Sequence, residues 1–270
     1  MIQLIEEDVG SSVILKKHAD IFGAADKLWQ LASSLVLPGP TNEKVDFHVR
    51  WVVLAYHARQ LRAFRSVVLL LERGLVPEAQ KILRPMIETR LHLHFLAESA
   101  DAPTTARQYL MWEFANDEKL LGFVKEEERA KHSALYKTLS ELFPEEKKRL
   151  GTEGWKQFTR QGPPMLSIDA LAQKLNFSDW YNMVYRRISG AIHGFNLLAY
   201  ARPTKDAKMF IVNLAPVDDA LDLTLDAAIA LLVDTSLRVD ALFKLGKEKD
   251  IRALDEEHAK WLKEKLGRAG

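Results

Sequence analysis

The chain has 270 residues, of which 47% are hydrophobic and 28% charged, with a net charge of +1 and no cysteine. That length fits one large domain or two small ones, and the composition is that of an ordinary soluble globular protein with a sizeable core. Near-neutrality leaves no global signature for nucleic acid, so any such site must be a local patch. The lack of cysteine excludes disulfides, thiol catalysis and cysteine metal sites, and fits a reducing cytoplasm.

The opening MIQLIEEDVGSS has neither the basic nor the apolar region of a secretory signal. The most apolar run, Ser66 to Leu71, is far too short to span a bilayer and is flanked by Arg59, Arg62, Arg65 and Arg73. We therefore expect a soluble, cytoplasmic protein with no membrane partner. Helical periodicity dominates the chain. A first helix is predicted from about Ser12 to Ser34, before the breaker Leu37-Pro38-Gly39-Pro40. A long helix follows from about Glu43 to Arg73. Gly74 ends it and Pro77 opens the next, which runs to about Ala97, so the two form an antiparallel hairpin. Pro85 lies inside the second arm and predicts a kink.

Asp101 and Pro103 mark a helix to about Val124. Residues 125–165 read as a charged helical insertion interrupted at Pro144 and Gly151, with a loop at Gln161-Gly162-Pro163-Pro164. Ser167 and Ser178 are N-cap candidates, the second for a helix over about 179–200. Met209 to Val212 is a candidate extended segment in otherwise non-helical sequence. Helices over about 217–245 and 249–266 complete an all-α fold. The long helices at about 43–73, 77–97, 179–200 and 217–245 should form an antiparallel bundle in a single domain, residues 1–270.

The helix over 179–200 holds the most informative pattern. Asn182, Arg186, Ser189, His193, Asn196 and Tyr200 are spaced by 4, 3, 4, 3 and 4 residues, which puts them on one stripe. The sequence around them is largely apolar, and buried polar groups must be hydrogen-bonded. The seam is therefore either a structural network or an active site. As an active site, Arg186 would stabilise charge on phosphate oxygens and His193 would move a proton, with Asn182, Ser189 and Asn196 orienting them. As a structural network, the same residues would fix helix register. Gly190 and Gly194 form a G-x-x-x-G step that lowers helix propensity by about 1 kcal/mol each relative to alanine. Close approach of another backbone would compensate, so a homodimer is expected, although the neighbour could belong to the same chain.

Arg186-Arg187-Ile188-Ser189-Gly190-Ala191-Ile192-His193 resembles the R-x(4–6)-H signature of the HEPN superfamily. That resemblance implies a small all-helical domain, metal-independent RNA cleavage by Arg and His facing each other across a dimer, and a place in bacterial stress response or phage defence. Arg186 with six intervening residues and Arg187 with five both fit. Arg186 is preferred because a polar residue follows it and because of its face. That polar residue is Arg187, where asparagine or aspartate is usual.

Arg73-Gly74, Glu78-Ala79, Leu83-Arg84 and Glu88, followed by Tyr185, Ser189 and His193, are together similar to a bacterial domain-of-unknown-function family numbered 5677. The similarity covers about Val49 to Leu245 and implies an all-helical fold without an established activity. Within the hairpin, Arg84 and Glu88 are four apart, as are Glu88 and His92, and Arg90 and His94. Arg84 and Glu88 either complete a pocket with Arg186 and His193 or satisfy each other in the core.

No H-E-x-x-H, paired E-x-x-H, G-x-S-x-G, phosphate loop or dinucleotide fingerprint occurs, and no cofactor or metal is expected. Lys147-Lys148-Arg149 with Lys156 and Arg160 is the best positive surface for RNA or a nucleotide, diluted by Glu145, Glu146 and Glu153. The functional expectation is a HEPN-like RNA-cleaving enzyme. The alternative is a non-catalytic helical module binding a ligand or protein, in which the seam is structural.

Overall fold

A computed structural model describes residues 7–36, 44–121, 143–185, 201–203, 210–212 and 220–267. The fold is all-α. Its helices are α1 (Glu7–Lys17), α2 (Ala19–Ser34), α3 (Phe47–Glu72), α4 (Val76–Ala97), α5 (Ala102–Leu121), α6 (Phe143–Gln161), α7 (Ile168–Lys174), α8 (Ser178–Trp180), α9 (Leu221–Phe243) and α10 (Glu248–Gly267). A π-helical turn, Tyr181–Tyr185, continues α8. The only strands among the described residues are β1 (Ala201–Pro203) and β2 (Phe210–Val212), antiparallel with Arg202 opposite Ile211. The expected extended segment is thus β2, and its partner β1 was not foreseen.

Two compact units emerge. One comprises residues 1–42, 56–90 and 179–270, the other 43–55 and 91–178. Among the described residues no helix is long and apolar enough to cross a membrane.

Local chemistry sets the helix ends. The expected start near Glu43 moves to Phe47, because the Asp46 carboxylate accepts from the backbone N–H groups of His48 (2.9 Å) and Val49 (3.2 Å). At the other end Gly74 takes φ 70°; its N–H bonds Leu71 O, and Leu75 N–H bonds Leu70 O. This pair is the Schellman stop, which favours glycine because the left-handed conformation has no Cβ penalty there. Asp101 caps α5 through Thr104 N–H (3.1 Å), and Ser167 caps α7 through Ala170 N–H (3.2 Å).

The predicted first helix is two. His18 leaves helical dihedrals (φ −116°, ψ 21°) between α1 and α2. Its side chain is 4% exposed as a residue and its Nδ1 lies 3.0 Å from Asp222 of α9.

In the first unit α9 is the central rod, buried at Leu221, Leu225, Ala228, Leu232, Val239 and Phe243. Its polar groups meet partners from several helices. Asp222 meets His18, Thr224 accepts from Gln80 of α4 (3.2 Å), and Asp226 meets His258 of α10 (2.8 Å). Asp234 takes two hydrogen bonds from Arg90 of α4, at 2.8 and 3.3 Å. In the second unit Met111, Ala115 and Phe158 form a core flanked by Trp112, Leu150 and Trp155. α6 contains Pro144 in its first turn and breaks at Gly151 (φ 69°, ψ 176°), the two interruptions read from sequence.

The His258–Asp226 contact should matter more than an exposed pair, because a buried ring nitrogen left unpaired carries its full desolvation cost. We expect Asp226→Ala to lower unfolding free energy by about 1–2 kcal/mol in urea melts. Lys27→Ala, which breaks the exposed contact with Glu257, should change it by less than about 0.5 kcal/mol.

Candidate functional site

α4 begins at Val76 with Pro77 in its first turn, where a missing N–H costs nothing, and it runs through Pro85 to Ala97. Arg84 and Glu88 therefore sit one turn apart, and Arg84 Nε donates to Glu88 Oε1 at 3.0 Å. The Tyr185 hydroxyl donates to the same oxygen at 2.9 Å, from 97 residues away in sequence. The Arg84 guanidinium carbon stands 5.2 Å from the centre of the Tyr185 ring, within cation–π range. One carboxylate oxygen thus receives an ionic and a phenolic donor, while one ring contacts the same cation.

Burial differs across the cluster. Tyr185 is 5% exposed, whereas the Arg84 and Glu88 side chains remain 30% and 25% exposed. Burial, reinforced by the Glu88 charge and by the hydrogen bond to it, pushes the Tyr185 phenol well above its ordinary value of 10.0. Tyr185 is therefore a neutral donor at physiological pH. Burial works against the Arg84 cation, but the hydrogen bond to Glu88 and the neighbouring charges outweigh it and raise the guanidinium pKa.

Tyr185 lies in the π-helical turn, where backbone bonds run i→i+5 and residues four apart nearly overlie. Tyr181 accordingly stacks on Tyr185, with ring centres 4.6 Å apart and planes at 18°. Tyr181 was not foreseen as part of the cluster. Its signal was the aromatic pair at i, i+4, which reads equally well as core packing.

Of the residues singled out from sequence, the structure brings together Arg84, Glu88 and Tyr185. Asn182 is exposed. Arg186, Ser189, His193, Asn196 and Tyr200 lie outside the described residues, as do Gly190 and Gly194. The polar side chains of α4 reach several partners. Glu88 goes to Arg84 and Tyr185, His92 Nδ1 bonds the Tyr109 hydroxyl at 2.9 Å, and Arg90 goes to Asp234.

Two cations of the basic segment on α6 pair with acids one turn away, and a third contacts a ring. Arg149 pairs with Glu146, Lys156 with Glu153 at 2.7 Å, and Lys147 lies 5.0 Å from the Trp155 ring centre. Among the described residues no three His, Asp or Glu side chains converge in a way that could hold a metal ion.

An all-helical protein with a carboxylate-centred Arg–Tyr cluster on a helical hairpin is the class that fold and site define. A model described as a family of unknown function (DUF5677) matches residues 50–208, more than half of the chain, and the chain belongs to that family. The match spans Arg84, Glu88 and Tyr185 together with Arg186 and His193. No curated protein and no solved structure matches the chain.

The cluster yields two expected outcomes. Glu88→Ala strands a half-buried cation and a buried hydroxyl, and should cost about 1–3 kcal/mol in urea melts. Tyr185 contributes through a raised pKa, so the folded state holds its proton more tightly than the unfolded state. That contribution is complete below the unfolded pKa near 10 and is lost as pH rises through the folded value. Tyr185→Phe should therefore show a shallower fall in melting temperature than the parent between about pH 9 and about pH 11.

Proposed function

We propose that the chain is a HEPN-like, metal-independent RNA-cleaving protein in which Arg186 and His193 carry the chemistry. The observation that carries this reading is the spacing of those two residues in a segment that follows directly on Tyr185. Consecutive Cα atoms are about 3.8 Å apart, and Tyr185 is held by Glu88 and Arg84. Tyr185, the residue before Arg186, is thus anchored to a charged pair on α4.

In this reading His193 accepts the proton of a ribose 2′-hydroxyl, whose oxygen attacks the adjacent phosphorus. Arg186 stabilises the negative charge that builds on the phosphate oxygens. The departing 5′-oxygen takes up a proton, which leaves a 2′,3′-cyclic phosphate and a 5′-hydroxyl. Ser189 and Asn196 orient the pair, and the exposed Asn182 is available to the substrate strand. A second subunit supplies the opposing Arg and His, with Gly190 and Gly194 at the close approach.

A second reading is a non-catalytic helical module that binds a ligand or a protein. One observation favours it: Arg84, Glu88 and Tyr185 satisfy one another, as a structural network must. The two readings separate on one variant. Incubated with mixed cellular RNA, the parent should cleave equally with and without chelator. His193→Ala should lose cleavage by about a hundredfold or more with an unchanged melting transition. An inactive parent, combined with a large loss of stability in His193→Ala, establishes the structural reading instead.

A further inference from the structure

A cleft on the first unit is independent of the RNA reading. It lies between the end of α2, with Val36 just beyond it, and the middle of α3, holds about 420 Å³, and opens to solvent. Trp29, Ser33 and Val36 line it from the α2 side, and Ala58, Leu61, Arg62 and Arg65 from α3. That volume lies within the range of small-molecule sites, about 300–1,000 Å³, and the lining is of the apolar kind with a few polar groups.

The two arginines are not equivalent. Arg65 is committed: its Nη1 bonds Asp26 at 2.7 Å and its guanidinium carbon lies 5.8 Å from the Trp29 ring centre. Arg62 is exposed, and among the described residues its guanidinium has no carboxylate partner. Trp29 and the aliphatic side chains thus share the cleft with one cation, Arg62, that has no carboxylate partner among the described residues. Asp26 neutralises Arg65, so a negative group entering the cleft is drawn towards Arg62.

We propose that this cleft binds a flat, mostly apolar molecule of about two rings carrying one carboxylate. Its rings lie on Trp29 between Val36 and Leu61, and its carboxylate pairs with Arg62. A guanidinium–carboxylate pair is directional and can be bidentate, so it sets the orientation that apolar contact alone leaves free. A cationic ligand meets Arg62 at the entrance and is disfavoured. A neutral one fills the space without a preferred direction.

The test is calorimetric titration of the full chain with 2-naphthoate, alongside neutral 2-naphthalenemethanol. We expect saturable binding of naphthoate to the parent and at least about tenfold weaker binding to Arg62→Glu. The neutral compound should bind more weakly and should not distinguish the two proteins. Ala58→Trp, which fills the cleft from an exposed position, should abolish both signals with an unchanged melting transition. The proposal fails if naphthoate shows no saturable binding to the parent. It also fails if Arg62→Glu and Ala58→Trp bind naphthoate as the parent does. Sedimentation of parent and Ala58→Trp supplies a further outcome. A parent dimer that Ala58→Trp dissociates means a second copy covers the cleft, and this too overturns the proposal.

Discussion

A helix buried around most of its circumference can keep charged groups only where partners reach them, and α9 lives under that constraint. Its apolar residues fill the centre of the first unit, and Asp222, Asp226 and Asp234, each partly exposed at its margin, are met by side chains of other elements. His18, His258 and Arg90 meet them. Each contact brings in a different stretch of the chain: the junction of α1 and α2, α10, and the hairpin arm α4. The leucines of α9 supply the core of the first unit, and these polar contacts tie three other stretches of the chain to its margin.

The same requirement operates at the candidate site on the other side of the hairpin chemistry. Arg84 and Glu88 are one turn apart on α4 and would form a modest helix-surface pair if left alone. Tyr185 changes that. Its hydroxyl adds a second donor to Glu88, its ring covers the Arg84 guanidinium, and its burial removes water from one side of the pair. The π-turn that brings Tyr181 over Tyr185 belongs to the same device. Such turns occur often at functional sites.

Punctuation and periodicity made most of the helical framework legible. Gly74 and Pro77 announced the α3–α4 hairpin, Asp101 the start of α5, Pro144 and Gly151 the first turn and the break of α6, and Ser167 the cap of α7. What sequence could not supply was long-range. Nothing near His18 names a carboxylate 204 residues away as its partner, and nothing near Asp234 names Arg90. The sequence put the helix start near Glu43, whereas Asp46 turns its side chain onto two backbone N–H groups and the helix begins at Phe47. At the site, Arg84 and Glu88 were recognisable as a pair from their spacing. That Tyr185 completes them is a tertiary fact, whereas the i, i+4 spacing of Tyr181 and Tyr185 reads equally well as ordinary core packing.

On the proposed RNA-cleaving reading, the Tyr185–Glu88 hydrogen bond supports activity. That support is tested most directly by single-turnover cleavage rates in a cycle of Tyr185→Phe, Glu88→Ala and the double variant. Because both substitutions remove one shared interaction, we expect the double variant to be no slower than the slower single one. Rates in which the two losses multiply independently, or singles that cleave like the parent, would contradict it.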